Sequence, residues 1–316
     1  MFEIFYFCIM LIQYFWLYIW YSAIPVLDKS IYKYNLNGVN HTANIYNRPN
    51  NRPNNTPPNK RILLIISGSY VTTFDVYIKK LIIDLQNNYA DIIKTYEIIV
   101  FEKLDKSSIT IYEDVAQYLH TLHKTAEFDD LTIMGFSSGG VVASHIMNLL
   151  ADIKCEKKII TYDTPWQVRD NVISFQTNWI YRIDLLFFKI VHNIYSNHYN
   201  YADITQILNL YNNGLWNCNG AYQLIDIIQK VHQFTDEEMY AVTGFNFNQT
   251  PNTKVINIFC ENDPFVNRDT HIKYVNRNLD KIKFNLTNHN KDSIGHCSDM
   301  SLDTRYLDEV VNALMS

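Results

Sequence analysis

From Arg61 to Asp163 the chain repeats one pattern, and that pattern limits the fold more than any other feature. Four short apolar runs, RILLIIS, YEIIVFE, LTIMGF and KKIITYD, alternate with stretches whose apolar residues recur three and four apart. Runs this short and continuously apolar suit strands buried on both faces. Between them, Phe74, Tyr77, Ile78, Leu81, Ile82 and Leu85 mark one helix, and Val115, Leu119 and Leu122 a second. Val141, His145, Ile146, Leu149 and Leu150 mark a third. Strands alternating with amphipathic helices predict an α/β fold: a mostly parallel central sheet flanked by helices.

The rhythm stops at Asp163 and resumes at TKVINIFC, Thr253 to Cys260. The stretch between reads as helical, with one stripe through Ile183, Leu186, Phe187, Ile190, Val191 and Ile194 and another through Leu224, Ile227, Ile228 and Val231. An insertion of that length between two sheet strands is read as a helical cap. A final strand is expected at KIKFNL, then a polar loop and a closing helix carrying Leu302, Tyr306, Val310 and Leu314. Ahead of the repeat, IYKYNLNGVNHTANIY places strand-like runs on both sides of Asn37-Gly38, a pair that accepts the positive φ angles of a tight hairpin turn. NRPNNRPNNTPPNK, residues 47–60, has nothing apolar to bury and reads as an exposed linker. The expected divisions are 1–28, a hydrophobic segment; 29–163, the first part of the core; 164–251, the cap; and 252–316, the second part of the core.

The chain has nine glycines, and three of them surround two adjacent serines: Gly135, Ser137, Ser138, Gly139 and Gly140. Gly135-Phe136-Ser137-Ser138-Gly139 is a G-x-S-x-G pentapeptide between a buried strand and an amphipathic helix. A sharp turn there forces Ser137 into a strained conformation with its hydroxyl raised at the carboxyl edge of the sheet. The flanking glycines give room where strand and helix cross. The helix that follows turns its N-terminal amides and partial positive charge toward the same place.

A serine needs a base, and the base needs an acid to hold it. In a parallel sheet, functional groups gather at the carboxyl ends of the strands. Asp263 stands there in FCENDPFV, after the strand ending at Cys260, and His296 stands in DSIGHCSD, after the last strand. In this order, Ser…Asp…His, the chain resembles the α/β-hydrolase superfamily from roughly residue 31 to residue 316. The resemblance implies that Ser137 attacks a substrate carbonyl, His296 takes and returns the proton, and Asp263 orients the imidazole. It also implies an oxyanion hole from the backbone N–H of Ser138 and a second donor in ISGSY, at Ser69 with Tyr70 as the alternative. The superfamily commonly has His-Gly at that second place, whereas this chain has Ser67-Gly68. Asp163, at the end of the preceding strand, is the rival acid, and His289 the rival base. Other histidines, such as His145 and His192, read as packing or surface groups. Cys297 reads as a buried small side chain, and Trp166, Trp179, Tyr181 and Trp216 as core before pocket.

Composition excludes more than it assigns. A net charge of -5 and a pI near 6.0 give no electrostatic ground for a nucleic-acid partner. Cys8, Cys155, Cys218, Cys260 and Cys297 are scattered without CxxC pairs, which argues against a disulfide framework and a structural zinc site. No metal or organic cofactor is expected. An excess of Asn, Ile, Tyr and Lys reads as the mark of an AT-rich genome, such as that of a large DNA virus or a parasite.

Ile4 to Leu27 carries no charged side chain, and a helix over it would rise roughly 36 Å, enough for a hydrocarbon core of about 30 Å. Glu3 precedes it, and no Lys or Arg comes before Lys29, unlike a cleaved signal peptide. Lys29, Lys33, Arg48, Arg52 and Lys60 follow, so an uncleaved anchor with a cytoplasmic main domain is expected. Asn-x-Thr triplets at Asn40, Asn54, Asn248 and Asn285 point instead to secretion after cleavage, and a virion component is a further alternative. The expected activity is a membrane-associated serine hydrolase acting on a small-molecule or lipid ester. The alternative is a catalytically silent module of the same fold; a thioesterase or peptidase is a third reading.

Overall fold

A computed structural model describes residues 29–36, 39–46, 61–66, 71–101, 112–125, 128–166, 253–260, 263, 266, 268–278, 286–289 and 305–316, with the isolated positions 8, 12 and 226. Among the described residues eight strands form one sheet: β1 (Lys29–Leu36), β2 (Val39–Tyr46), β3 (Arg61–Ile66), β4 (Tyr96–Phe101), β5 (Asp130–Phe136), β6 (Glu156–Tyr162), β7 (Thr253–Cys260) and β8 (Leu286–His289). Their order across the sheet is β1-β2-β4-β3-β5-β6-β7-β8. β1 and β2 are antiparallel, and β2 runs antiparallel to β4; every other pairing is parallel. Leu36 pairs with Val39, so the Asn37-Gly38 hairpin closes on two residues as its turn chemistry requires.

The described helices are α1 (Val71–Asn88), α2 (Ala90–Ile93), α3 (Tyr112–Thr125), α4 (Ser138–Leu149), α5 (Arg268–Asn278) and α6 (Arg305–Met315). Strand residues alternate between the two faces of a sheet. Leu63, Ile65, Ile98, Val100, Met134, Phe136, Ile160, Tyr162, Ile256 and Ile258 therefore share one face, where they form a single core cluster. Ile78, Leu81, Ile82 and Leu85 of α1 and Leu307, Val310, Val311 and Leu314 of α6 complete it. On the other side α4 packs across β3, β5 and β6, next to α3. Each fully buried Ile or Leu contributes about 1.5–3 kcal/mol of transfer free energy.

Two expectations change. Leu149, placed on the buried stripe of its helix, is exposed, because α4 ends there and Leu150 turns inward instead. The last described strand is Leu286–His289, which begins on the last residue of KIKFNL, whose residues 281–285 lie outside the described ones; His289 is its final residue rather than part of the following loop. This is an edge strand, located by its ladder with Asn257–Cys260 and not by a run of apolar side chains.

The parallel order gathers like ends. The amino edge carries Arg61, Tyr96, Asp130, Glu156, Lys158 and Lys254. Arg61 pairs with Asp130 at 3.6 Å and lies over the Tyr96 ring. Burial raises the pKa of Asp130 and lowers that of Lys158. Burial also pushes the Tyr96 phenol up to about 12. Lys158 Nζ donates to the Leu314 carbonyl at 2.6 Å, and the Tyr96 hydroxyl reaches the same oxygen at 3.2 Å, which fastens the C-terminal turn of α6 to the sheet. The opposite edge, at the carboxyl ends, carries the serine turn and two carboxylates.

The cap and the N-terminal hydrophobic segment fall outside the described residues, apart from the insertion's first residues and the isolated positions. Among the described residues no helix is long and apolar enough to cross a membrane.

Candidate active site

Ser137 stands between the last residue of β5 and the first of α4, half-buried, with φ 50° and ψ -128°. A serine at this point would ordinarily cap the helix by accepting an N–H of the first turn. Here the side chain makes no capping hydrogen bond, so the hydroxyl is not committed to the helix. The turn is held on both sides: Ser137 N–H donates to the Tyr162 carbonyl at 2.9 Å, and its own carbonyl accepts from Gly140 N–H at 3.0 Å. Such a φ costs about 1–3 kcal/mol for a residue with a Cβ and persists only where the surroundings enforce it.

The glycines show how tightly the turn is closed. A Cβ on Gly135 would lie 2.3 Å from the Gly139 carbonyl oxygen, because the end of β5 and the first turn of α4 cross without space for one. A Cβ on Gly140 would lie 2.0 Å from Thr164 Oγ1, on the chain leaving β6. The third glycine of the knot thus has its own function, which the pentapeptide pattern does not reveal: it admits Thr164 against the helix.

Asp163 is wholly buried and also takes a positive φ, 46°. Its N–H continues the ladder to the Ile258 carbonyl at 3.0 Å, and its Oδ1 accepts the Cys260 N–H at 2.7 Å. The carboxylate therefore binds the end of β6 to the end of β7. Asp263 follows β7, 8% exposed, with its N–H on the Cys260 carbonyl at 3.2 Å and its Oδ1 accepting the Val266 N–H at 2.9 Å. That local bond closes a turn and fixes the carboxylate's direction.

Ser137, Asp163 and Asp263 thus stand at the ends of three successive strands, and Ser138 opens α4 beside the first of them. His289 ends β8, paired with Cys260. His296, Ser69, Tyr70 and Cys297 lie outside the described residues. Trp166 is 2% exposed and belongs to the core.

Sequence reading missed a polar cluster inside β7. Asn257 is fully buried, its Oδ1 accepting from Thr161 Oγ1 at 2.8 Å and from Trp166 Nε1 at 3.3 Å. Its amide nitrogen meets His271 Nε2 of α5 at 2.8 Å. The signal was present in TKVINIFC: an amide inside an otherwise apolar strand has to find partners. The His271 ring stacks on Phe259 at 4.0 Å, and burial pushes its pKa down to about 4. The Thr164 backbone and the Asp263 charge oppose that shift, although Nδ1 has no partner of strict hydrogen-bond geometry. Among the described residues no group of His, Cys, Asp and Glu could hold a metal ion.

The sequence matches no family model and no curated protein. Solved structures do match. A candidate esterase from Staphylococcus aureus superposes with a TM-score of 0.52 at 11% identity, over 93% of this chain and 85% of that one. The chain has the α/β-hydrolase fold. Est1E from Butyrivibrio proteoclasticus shares it with a TM-score of 0.52 at 12% identity, over 90% and 99% of the two chains. So does a puromycin-hydrolyzing peptidase of Mycobacterium tuberculosis, with a TM-score of 0.51 at 13% identity, over 91% of this chain and 40% of that longer one. At such identities the α/β-hydrolase likeness is one of architecture. The turn at Ser137 lies where the strand–turn–helix context of a nucleophile elbow requires it.

Proposed function

We propose that the protein is a serine hydrolase that cleaves a carboxylic ester through Ser137, His296 and Asp263. The observation that carries this reading is the strained, uncapped serine at the β5–α4 turn, kept in place by the ladder to Tyr162 and by two positions where no Cβ fits. His296 would remove the Ser137 proton as Oγ attacks the carbonyl, while Asp263 holds the imidazole in the tautomer that leaves Nε2 free to accept. The tetrahedral oxyanion would be met by the N–H of Ser138, with the dipole of α4 behind it, and by a donor from Ser69. Collapse expels the alcohol with a proton returned by His296, and water then releases the acyl group by the same steps. Asp263 is preferred to Asp163 because the Asp163 carboxylate ties the ends of two strands together, whereas the Asp263 bond to Val266 N–H is local to its own turn after β7.

A fluorophosphonate probe should label the folded protein at Ser137, and Ser137→Ala should abolish labelling. Well-folded wild type that resists the probe would sink the assignment.

Residues 164–251 are proposed as a cap over the carboxyl edge, since the segment leaves the sheet from that edge at Thr164. The uncharged stretch from Ile4 to Leu27 is proposed as an uncleaved anchor with the hydrolase on the cytoplasmic side, which favours lipid or acyl esters as substrates. Retention in alkali-washed membranes, lost on deletion of 1–28, tests the anchor. Digestion of the hydrolase region by protease added outside sealed cells would refute the cytoplasmic side. Rates over a series of acyl-chain lengths test the preference.

A further inference from the structure

Asn257 and His271 have no part in the chemistry just described, yet their partners determine their protonation. Trp166 Nε1 can only donate, so the Asn257 atom it meets at 3.3 Å is the oxygen. The other end of the amide is then an N–H, and His271 Nε2, 2.8 Å away, must offer it a lone pair. The His271 proton therefore sits on Nδ1 and the ring is neutral, in agreement with its burial. No rotation of the amide rescues the network when the ring is charged. A protonated Nε2 would face the amide N–H, and flipping the amide to meet it would turn that N–H against the Trp166 indole.

The four side chains come from four segments: Thr161 from β6, Trp166 from the root of the 164–251 insertion, Asn257 from β7 and His271 from α5. Asp163 begins the chain that runs to Trp166. Asp263 turns the chain that runs from β7 to α5, and among the described residues its carboxylate is the charged group that bears on the ring. Phe259, on β7, stacks against that ring.

We propose that the Asn257–His271 pair is a positioning device that locks the turn carrying Asp263 to the root of the insertion, and does so only while His271 is neutral. The catalytic consequence rests on the triad reading above; the clamp itself does not. In this role His271 acts through the turn that presents Asp263, and not on substrate or nucleophile.

The test compares His271→Leu, which cannot accept the Asn257 N–H, with His271→Gln, whose amide oxygen can. p-Nitrophenyl butyrate turnover and amide hydrogen exchange over 257–271 are measured on the full chain. The leucine variant should lose tenfold or more in kcat with KM within twofold, and exchange faster at 263–266; glutamine should restore both to within threefold. Wild-type kcat and exchange in the leucine variant, or no recovery with glutamine, would overturn the proposal. Should the leucine variant fail to fold, Asn257→Asp decides. A carboxylate there only accepts, so the His271 ring should move its proton to Nε2 and titrate at higher pH by NMR; an unchanged titration overturns the clamp. If the wild type itself does not turn over the ester, the hydrolase reading fails, and the exchange comparison alone judges the clamp.

Discussion

Ser137 and Asp163 are the two non-glycine residues with positive φ among those described, and they end neighbouring strands. Each is held by a ladder bond to the next strand, Ser137 to Tyr162 and Asp163 to Ile258, so the sheet itself sustains the strain. Asp163 and Asp263 are separated by parallel substitutions. Asp163→Asn keeps an acceptor for the Cys260 N–H and suits left-handed backbone, so activity should stay within a few-fold. Asp263→Asn should lower kcat by about 10⁴ if its carboxylate orients the base. Equal losses, or the reverse order, would make Asp163 the acid. Gly140→Ala should cost about 2 kcal/mol in urea unfolding by forcing a methyl against Thr164. Adding Thr164→Ala, which removes the nearest atom and leaves the Thr164 Cβ 2.9 Å away, should return part of that.

At the scale of elements, strands and helices were legible where side chains announce them. RILLII, YEIIVF, LTIMGF, KKIITY and TKVINIFC all lie in strands, because a strand buried on both faces is mostly apolar. Beyond Leu286 the last strand carries little apolar signal, because an edge strand is specified by backbone pairing, which leaves little trace in side-chain type. The closing helix shows a further tertiary contribution. Its last turn is fixed by Lys158, half-buried at the amino edge, donating to Leu314. Lys158→Met should lower stability by about 1 kcal/mol and leave kcat unchanged, since the amino edge lies opposite the serine turn. A change in kcat without a change in stability would refute that separation of roles.

For the whole molecule, the buried imidazole links stability to pH. The folded His271 pKa is about 4 against 6.5 for the free side chain, so folding favours the neutral ring. As pH falls through 6.5 the unfolded chain takes up a proton that the folded one refuses until near 4. The contribution is fully present above 6.5 and lost across that window, on the order of 3 kcal/mol. Urea unfolding from pH 7 to 4 should therefore be less steep in pH for His271→Gln than for wild type; coincident curves would refute the assignment. The sequence by itself determined the alternation of elements, the two-residue hairpin and the place of the serine turn, because hydrophobic period and glycine spacing act over neighbouring residues. Only the tertiary structure decided that Asp163 fastens two strands, that Gly140 admits Thr164, and that Asn257 selects the tautomer of His271. Each of these depends on which distant backbone arrives beside it, and contacts between segments 14 to 97 residues apart leave no local pattern to read.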